Sequence, residues 1–124
     1  MAYTTRETTI LARAVRSANA STDVDNEGGH RGVIIFIDMI AVGGAPGGVT
    51  FTIRGKSTLS NQYYTMLGSA PIKVTGNTVL RLYPGGLVTA GLSANDQLPA
   101  VWNLLSAHSA GTNFTYSVNA ILLP

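Results

Sequence analysis

Residues 31–56 read RGVIIFIDMIAVGGAPGGVTFTIRGK, and two different strand patterns meet in them. From Val33 to Val42 the odd positions are Val33, Ile35, Ile37 and Met39, and the even ones begin Ile34, Phe36, Asp38 and Ile40. Successive side chains of a strand point to opposite faces. A run that is apolar at both parities therefore predicts a central strand, its odd face in the core and its even face partly covered. From Val49 to Arg54 the alternation is strict, with Val49, Phe51 and Ile53 inward and Thr50, Thr52 and Arg54 outward. The glycines of Gly43–Gly48 free the backbone for a bend, most simply a hairpin. Asp38 interrupts an apolar face. A carboxylate there is costly unless a cation or several N–H groups meet it, so Arg81 or Arg54 on a neighbouring strand is its expected partner, in a structural role.

Working outward, strand patterns recur over 63–67, 72–75, 79–83, 100–107 and 114–122. The last places Phe114, Tyr116, Val118, Ala120 and Leu122 on one face. Turns are expected at Ser57–Asn61, Gly68–Pro71, Gly76–Asn77, Pro84–Gly86 and Ala110–Asn113, where glycine and asparagine accept positive φ. Leu87–Leu98 has no clear period and reads as a crossover with a helical turn near Ser93–Gln97. Residues 1–30 form an N-terminal arm and loop. Thr8–Val15 is either a first strand or part of a short helix over 5–18, and 18–31 is an exposed loop; removing 1–18 is expected to leave residues 31–124 folded. Short strands at this spacing predict an all-β, single-domain β-sandwich, jelly-roll or Greek-key-like, with an extended N-terminal arm.

The length of 124 residues suits one core, and with no cysteine there are neither disulfides nor thiolate metal sites. Only 11% of residues are charged, while Thr, Ser and Asn number fourteen, nine and eight. An ordinary soluble domain carries about 25% charge, so this surface repels itself unusually little and suits close packing against other protein. The net charge of +2 is spread along the chain without a basic patch, which argues against nucleic acid. Arg13 and Arg16 interrupt any signal-peptide core. Val33–Val42 falls well short of the ~20 residues of a membrane helix. A chain made soluble inside a cell, without membrane contact, is the expectation.

Motifs for chemistry are weak. GGAPGG joins two strands, whereas a phosphate loop must open a helix. His30 and His108 are the only imidazoles, and neither stands in a nucleophile motif; a triad of Asp38, His108 and a serine would have to be assembled in space. Asp23, Asp25, Glu27 and Gly28 imitate the start of a calcium loop, but Ile34 stands where its bidentate glutamate would be. No catalytic, cofactor-binding or metal-binding residue is assigned. A sugar site would draw on Tyr63, Tyr64, Tyr83 and Trp102, although adjacent Tyr63 and Tyr64 point to opposite faces.

The succession RGVIIFIDMIAV, FTIRGKSTLSNQYYTML, VLRLYPGG and LPAVWNLLSAHSAGTNFTYSVNAIL, over residues 30–122, resembles the small all-β virion structural proteins of tailed bacteriophages, nearest to capsid decoration (cement) proteins. That resemblance implies a non-enzymatic β-sandwich on the capsid surface of a virion assembled in the host cytoplasm. It would bind the major capsid protein and copies of itself as a dimer or trimer. A tail-associated or carbohydrate-binding β-module of the virion is the alternative. An arm that clasps a neighbour would use Tyr3, Arg6, Ile10, Arg13 and Arg16.

Overall fold

The structure, a computed structural model, describes residues 5–27, 29–43, 47–109 and 113–124. Its strands are β1 (Arg6–Arg16), β2 (Ala20–Asp25), β3 (Gly32–Ala41), β4 (Val49–Lys56), β5 (Tyr63–Gly68), β6 (Gly76–Leu82), β7 (Ser93–Ala94), β8 (Val101–His108) and β9 (Phe114–Leu123). They form a five-stranded sheet in the order β1-β9-β3-β6-β7 and a four-stranded sheet in the order β2-β8-β4-β5. Every neighbouring pair is antiparallel except β6–β7. With the two-residue β7 set aside, this is the eight-strand jelly roll of two interlocked Greek keys. Read side by side, the two orders set β1 against β2, β9 against β8, β3 against β4 and β6 against β5.

The period-2 readings hold at the centre. Val33, Ile35, Ile37 and Met39 of β3 are buried, as are Val49, Phe51 and Ile53 of β4 and alternate residues of β9 from Phe114 to Leu122. Trp102 and Leu104 of β8 complete the facing layer. Phe51 meets Tyr116 edge-on across the sheets, ring centroids 5.3 Å apart, a favoured aromatic geometry.

Elsewhere the structure corrects the sequence reading. The segment holding Gly43–Gly48 is not a hairpin, because β3 and β4 lie in different sheets; its residues 44–46, like 110–112 of the Ala110–Asn113 turn, lie outside the described residues. Residues 72–75 are not a strand. Pro71 has no N–H to continue β5, and only Ile72 resumes the line, exchanging backbone bonds with Val49 at 2.8 and 3.1 Å. Gly76 opens β6 with φ +136°, a region open to glycine, rather than closing a turn. Ser93–Gln97 contains no helical turn but holds β7, parallel to β6.

The N-terminal segment gives one strand to each sheet. β1 pairs with β9 from Arg6↔Leu122 to Arg16↔Phe114, interrupted by register shifts between Thr9 and Leu11 and between Leu11 and Ala14. Such bulges twist an edge strand and discourage pairing with another chain. β2, in the stretch expected as a loop, pairs with β8 from Ala20↔Ser106 to Asp25↔Val101.

Candidate docking surface

The even face of β3 looks away from the core. Cross-strand register places Ile34 between Ile121 and Arg81, Phe36 between Asn119 and Val79, and Asp38 between Ser117 and Asn77. Ile34, Phe36, Val79, Ile121 and Leu123 are all only half-buried. They form an apolar stripe on the outside of the five-stranded sheet. The core behind is complete without them.

At one end the stripe runs into a groove of about 450 Å³ between β6 and the segment leading to β7, lined among others by Ile34, Tyr83, Leu87, Leu92 and Leu123. The segment is folded back by its own backbone. Arg81 N donates to Leu92 O at 2.9 Å and Tyr83 N to Ala94 O at 3.2 Å, while Ser93 Oγ bridges Thr89 N and Leu87 O at 2.9 and 2.7 Å. Leu92 also walls a second groove of about 410 Å³, shared with Pro71, Ile72, Lys73 and Val74. Leu87 is 88% exposed, Val88 and Val74 72% each, and Leu92 48%. Three exposed large apolar side chains, Leu87, Leu92 and Val74, thus line two grooves that meet at Leu92, where scattered single ones would mean little.

Asp38 lies at the polar end of the stripe and pairs with neither expected arginine. Arg81 stands opposite Ile34, and Arg54 belongs to the other sheet. Ser117 and Asn77 flank it instead, so its row is polar throughout. The residues expected of a clasping arm are dispersed along β1. Arg6 is exposed, 3.8 Å from Glu27; Ile10 packs against the core; Arg13 is exposed. Arg16 folds back, its Nη1 donating to Tyr116 O at 2.9 Å and its guanidinium lying 5.0 Å from the Tyr116 ring centroid. Tyr3 lies outside the described residues.

The outer face of the four-stranded sheet is the opposite in character. Asn103, fully buried, donates to Asp23 Oδ1 and Ser21 Oγ at 2.8 and 2.9 Å and accepts two bonds from the Arg54 guanidinium at 3.0 and 2.8 Å. Asp23 also accepts from Tyr63 OH at 2.8 Å and Lys56 Nζ at 3.0 Å. The Asn103, Lys56 and Tyr63 donors hold the Asp23 carboxyl below the usual carboxylate value, and the same carboxylate raises Lys56. The Asp23 carboxylate, first of the calcium-like run, is thus committed to protein donors. Among the described residues no cluster of three or more His, Asp or Glu gathers as metal ligands would. The four aromatics of the sugar reading are scattered: Tyr63 in this network, Tyr64 against Gly55, Tyr83 at the groove and Trp102 in the core.

Comparison of the chain with protein-family models, with curated proteins and with solved structures finds no match.

His108 faces the interior, on the other side of the five-stranded sheet from Asp38, so the two do not meet. Its Nε2 lies 2.7 Å from Tyr116 OH, which donates to Ser106 Oγ at 3.1 Å; Ser106 in turn accepts from Ala20 N at 3.2 Å. With the phenol proton given to Ser106, Nε2–H of a neutral ring donates to the phenol oxygen. Nδ1, buried and without a partner among the described residues, is then bare. Protonation would place an N–H there with no acceptor. Burial first, and the Arg16 charge second, lower the His108 pKa from 6.5. Sequence reasoning named the histidine but not its partners, which come from β8 and β9.

The sign of the pH effect follows. Above about pH 6.5 the ring is neutral in folded and unfolded chains and stability is complete. As pH falls toward the lowered folded value, the unfolded chain takes up the proton first and stability is lost. Melting temperatures measured between about pH 7.5 and 5 are expected to fall. In His108→Gln, which keeps an N–H for Tyr116, that fall is expected to shrink; an unchanged slope would place the titration elsewhere.

Proposed function

We propose that this chain is a non-catalytic adhesive subunit, a decoration or cement protein on the outer surface of a phage head. It binds the major capsid protein and associates with copies of itself as a dimer or trimer. The observation that carries the reading is the apolar stripe and its groove on the outer face of the five-stranded sheet. Jelly rolls serve viral capsid and lectin domains and cupins alike, so the fold does not choose among them. The character of the two faces supports an adhesive role. The face of β2, β8, β4 and β5 satisfies its polar groups internally and suits water. The stripe offers an interface its apolar centre, and the sequence resemblance to virion proteins points the same way.

The energetics suit a repeated particle. A stable contact buries about 800 Å² per partner, and linking copies into an oligomer turns modest contacts into avidity. A β-scaffold that meets its partner already ordered gives up little conformational entropy on docking. Mixing the protein with capsids stripped of decoration tests the reading. Saturable binding at symmetry-related positions is expected, with an oligomer in light scattering. Glycan binding without capsid binding would favour the tail or carbohydrate module instead. Phe36→Ser, on the half-buried outer face, is expected to fold normally and to weaken capsid binding at least tenfold, about 1.4 kcal/mol. Wild-type binding by this variant would remove the stripe from the interface.

A further inference from the structure

We propose that the groove beside Leu87 and Leu92 takes an extended acidic segment of a protein partner, one in which a carboxylate flanks a leucine-like or aromatic side chain. The inference rests on the docking reading in taking the groove as part of the adhesive face, and it adds the chemistry of the occupant. The floor and walls supply the apolar half: Ile34, Leu87, Leu92 and Leu123. The charged half is one-sided. Arg81 lines this groove and Lys73 the one that shares Leu92, and no carboxylate lines either. Among the described residues neither cation has an ion-pair or hydrogen-bond partner for its side chain; the only ion pairs are Arg6–Glu27 and Lys56–Asp23. Beside the rim Tyr83 OH accepts from Arg31 Nη2 at 3.1 Å and donates to Pro124 O at 2.7 Å.

An unpaired guanidinium over apolar surface is the complement of a carboxylate that arrives with an apolar neighbour. Leaving water together, the pair strengthens as the apolar anchor seats. A basic segment would set like charges together, and a wholly apolar one would strand Arg81 without a partner. An acidic anchor satisfies both halves of the groove.

The test is a methyl-detected NMR titration of the whole chain with a short end-blocked peptide alternating aspartate and leucine, beside its lysine-for-aspartate counterpart. The acidic peptide is expected to shift the Leu87, Leu92 and Leu123 methyls, with an apparent Kd that rises with salt. The lysine peptide is expected to leave them unmoved. Arg81→Glu, an exposed and unpaired position, is expected to weaken the acidic peptide at least tenfold and to admit the basic one. Equal response to both peptides, response on another face, or concentration-dependent self-association through these methyls without peptide binding would overturn the proposal. Peptide binding by a chain that ignores capsids would leave the groove assignment standing and remove the capsid function. Capsid binding with silent methyls would do the reverse.

Discussion

Deleting residues 1–18 is expected to abolish cooperative folding. An arm that only clasps a neighbour could be removed without harm, but β1 makes eight cross-strand pairs with β9, and Ile10 and Leu11 pack against the core. Ladder hydrogen bonds contribute about 0.5–1.5 kcal/mol each, and each apolar side chain about 1–2 kcal/mol when partly buried. The sum is on the order of 6–16 kcal/mol, comparable with the whole stability of a typical domain. The deletion also strips Arg16 from the Tyr116 carbonyl and ring and opens the edge of β9. A truncated chain should show no sigmoidal thermal transition and should bind a hydrophobic dye. Deleting residues 1–5 alone, which leaves β1 whole, should change the transition little. A cooperative transition for the longer deletion within a few degrees of the full chain would make β1 peripheral.

Phe51→Ala should be among the most damaging single core substitutions. Phe51 is fully buried in β4 and supports Tyr116, the side chain to which His108, Ser106 and Arg16 all attach. Phenylalanine-to-alanine changes in cores cost about 3–5 kcal/mol through lost transfer energy and the cavity left behind. In a domain of this size that lowers the melting temperature on the order of 10–20 °C. Phe51→Leu, which keeps most of the volume, should cost less than about half as much. Leu59→Ala, at a fully exposed turn position, is the control and should change nothing measurable. Equal losses for the alanine and leucine variants would mean the ring geometry, not the filled volume, is what matters.

The layers were legible in the sequence and the wiring was not. Strict alternation in 49–54 and 114–122, and double-sided apolarity in 33–42, each reports burial along one strand, and burial there follows it. β2 was missed because STDVD turns only Thr22 and Val24 toward the core, too little apolar weight to stand out from a polar loop. The hairpin expected at Gly43–Gly48 failed for a different reason. Glycine permits a reversal, but which sheet the next strand joins depends on strands far along the chain. The outer apolar stripe is a similar case. Ile34 and Phe36 alternate with core residues in one apolar run, and period alone does not tell a covered face from an open one. Leu87 and Leu92 lie in a segment without period, where exposed leucines before β7 were the available sign. The histidine network was out of reach, since Ser106, His108 and Tyr116 converge from two strands in different sheets.

The pairing of β1 with β9 joins residue 6 to residue 122, and it governs how the molecule can come into being. A strand made early must wait for one made about a hundred residues later, at synthesis speeds of ~5–20 residues per second. β2 likewise waits for β8, and β3 lacks its β9 neighbour until residues 114–123 are made. The growing chain therefore carries open edges, and the run VIIFIDMI stays open on the edge that β9 will cover. Closure is a late, collective event of the kind that gives β-topologies their slow rates. In that interval open strand edges leave closure of one chain in competition with strand exchange between two.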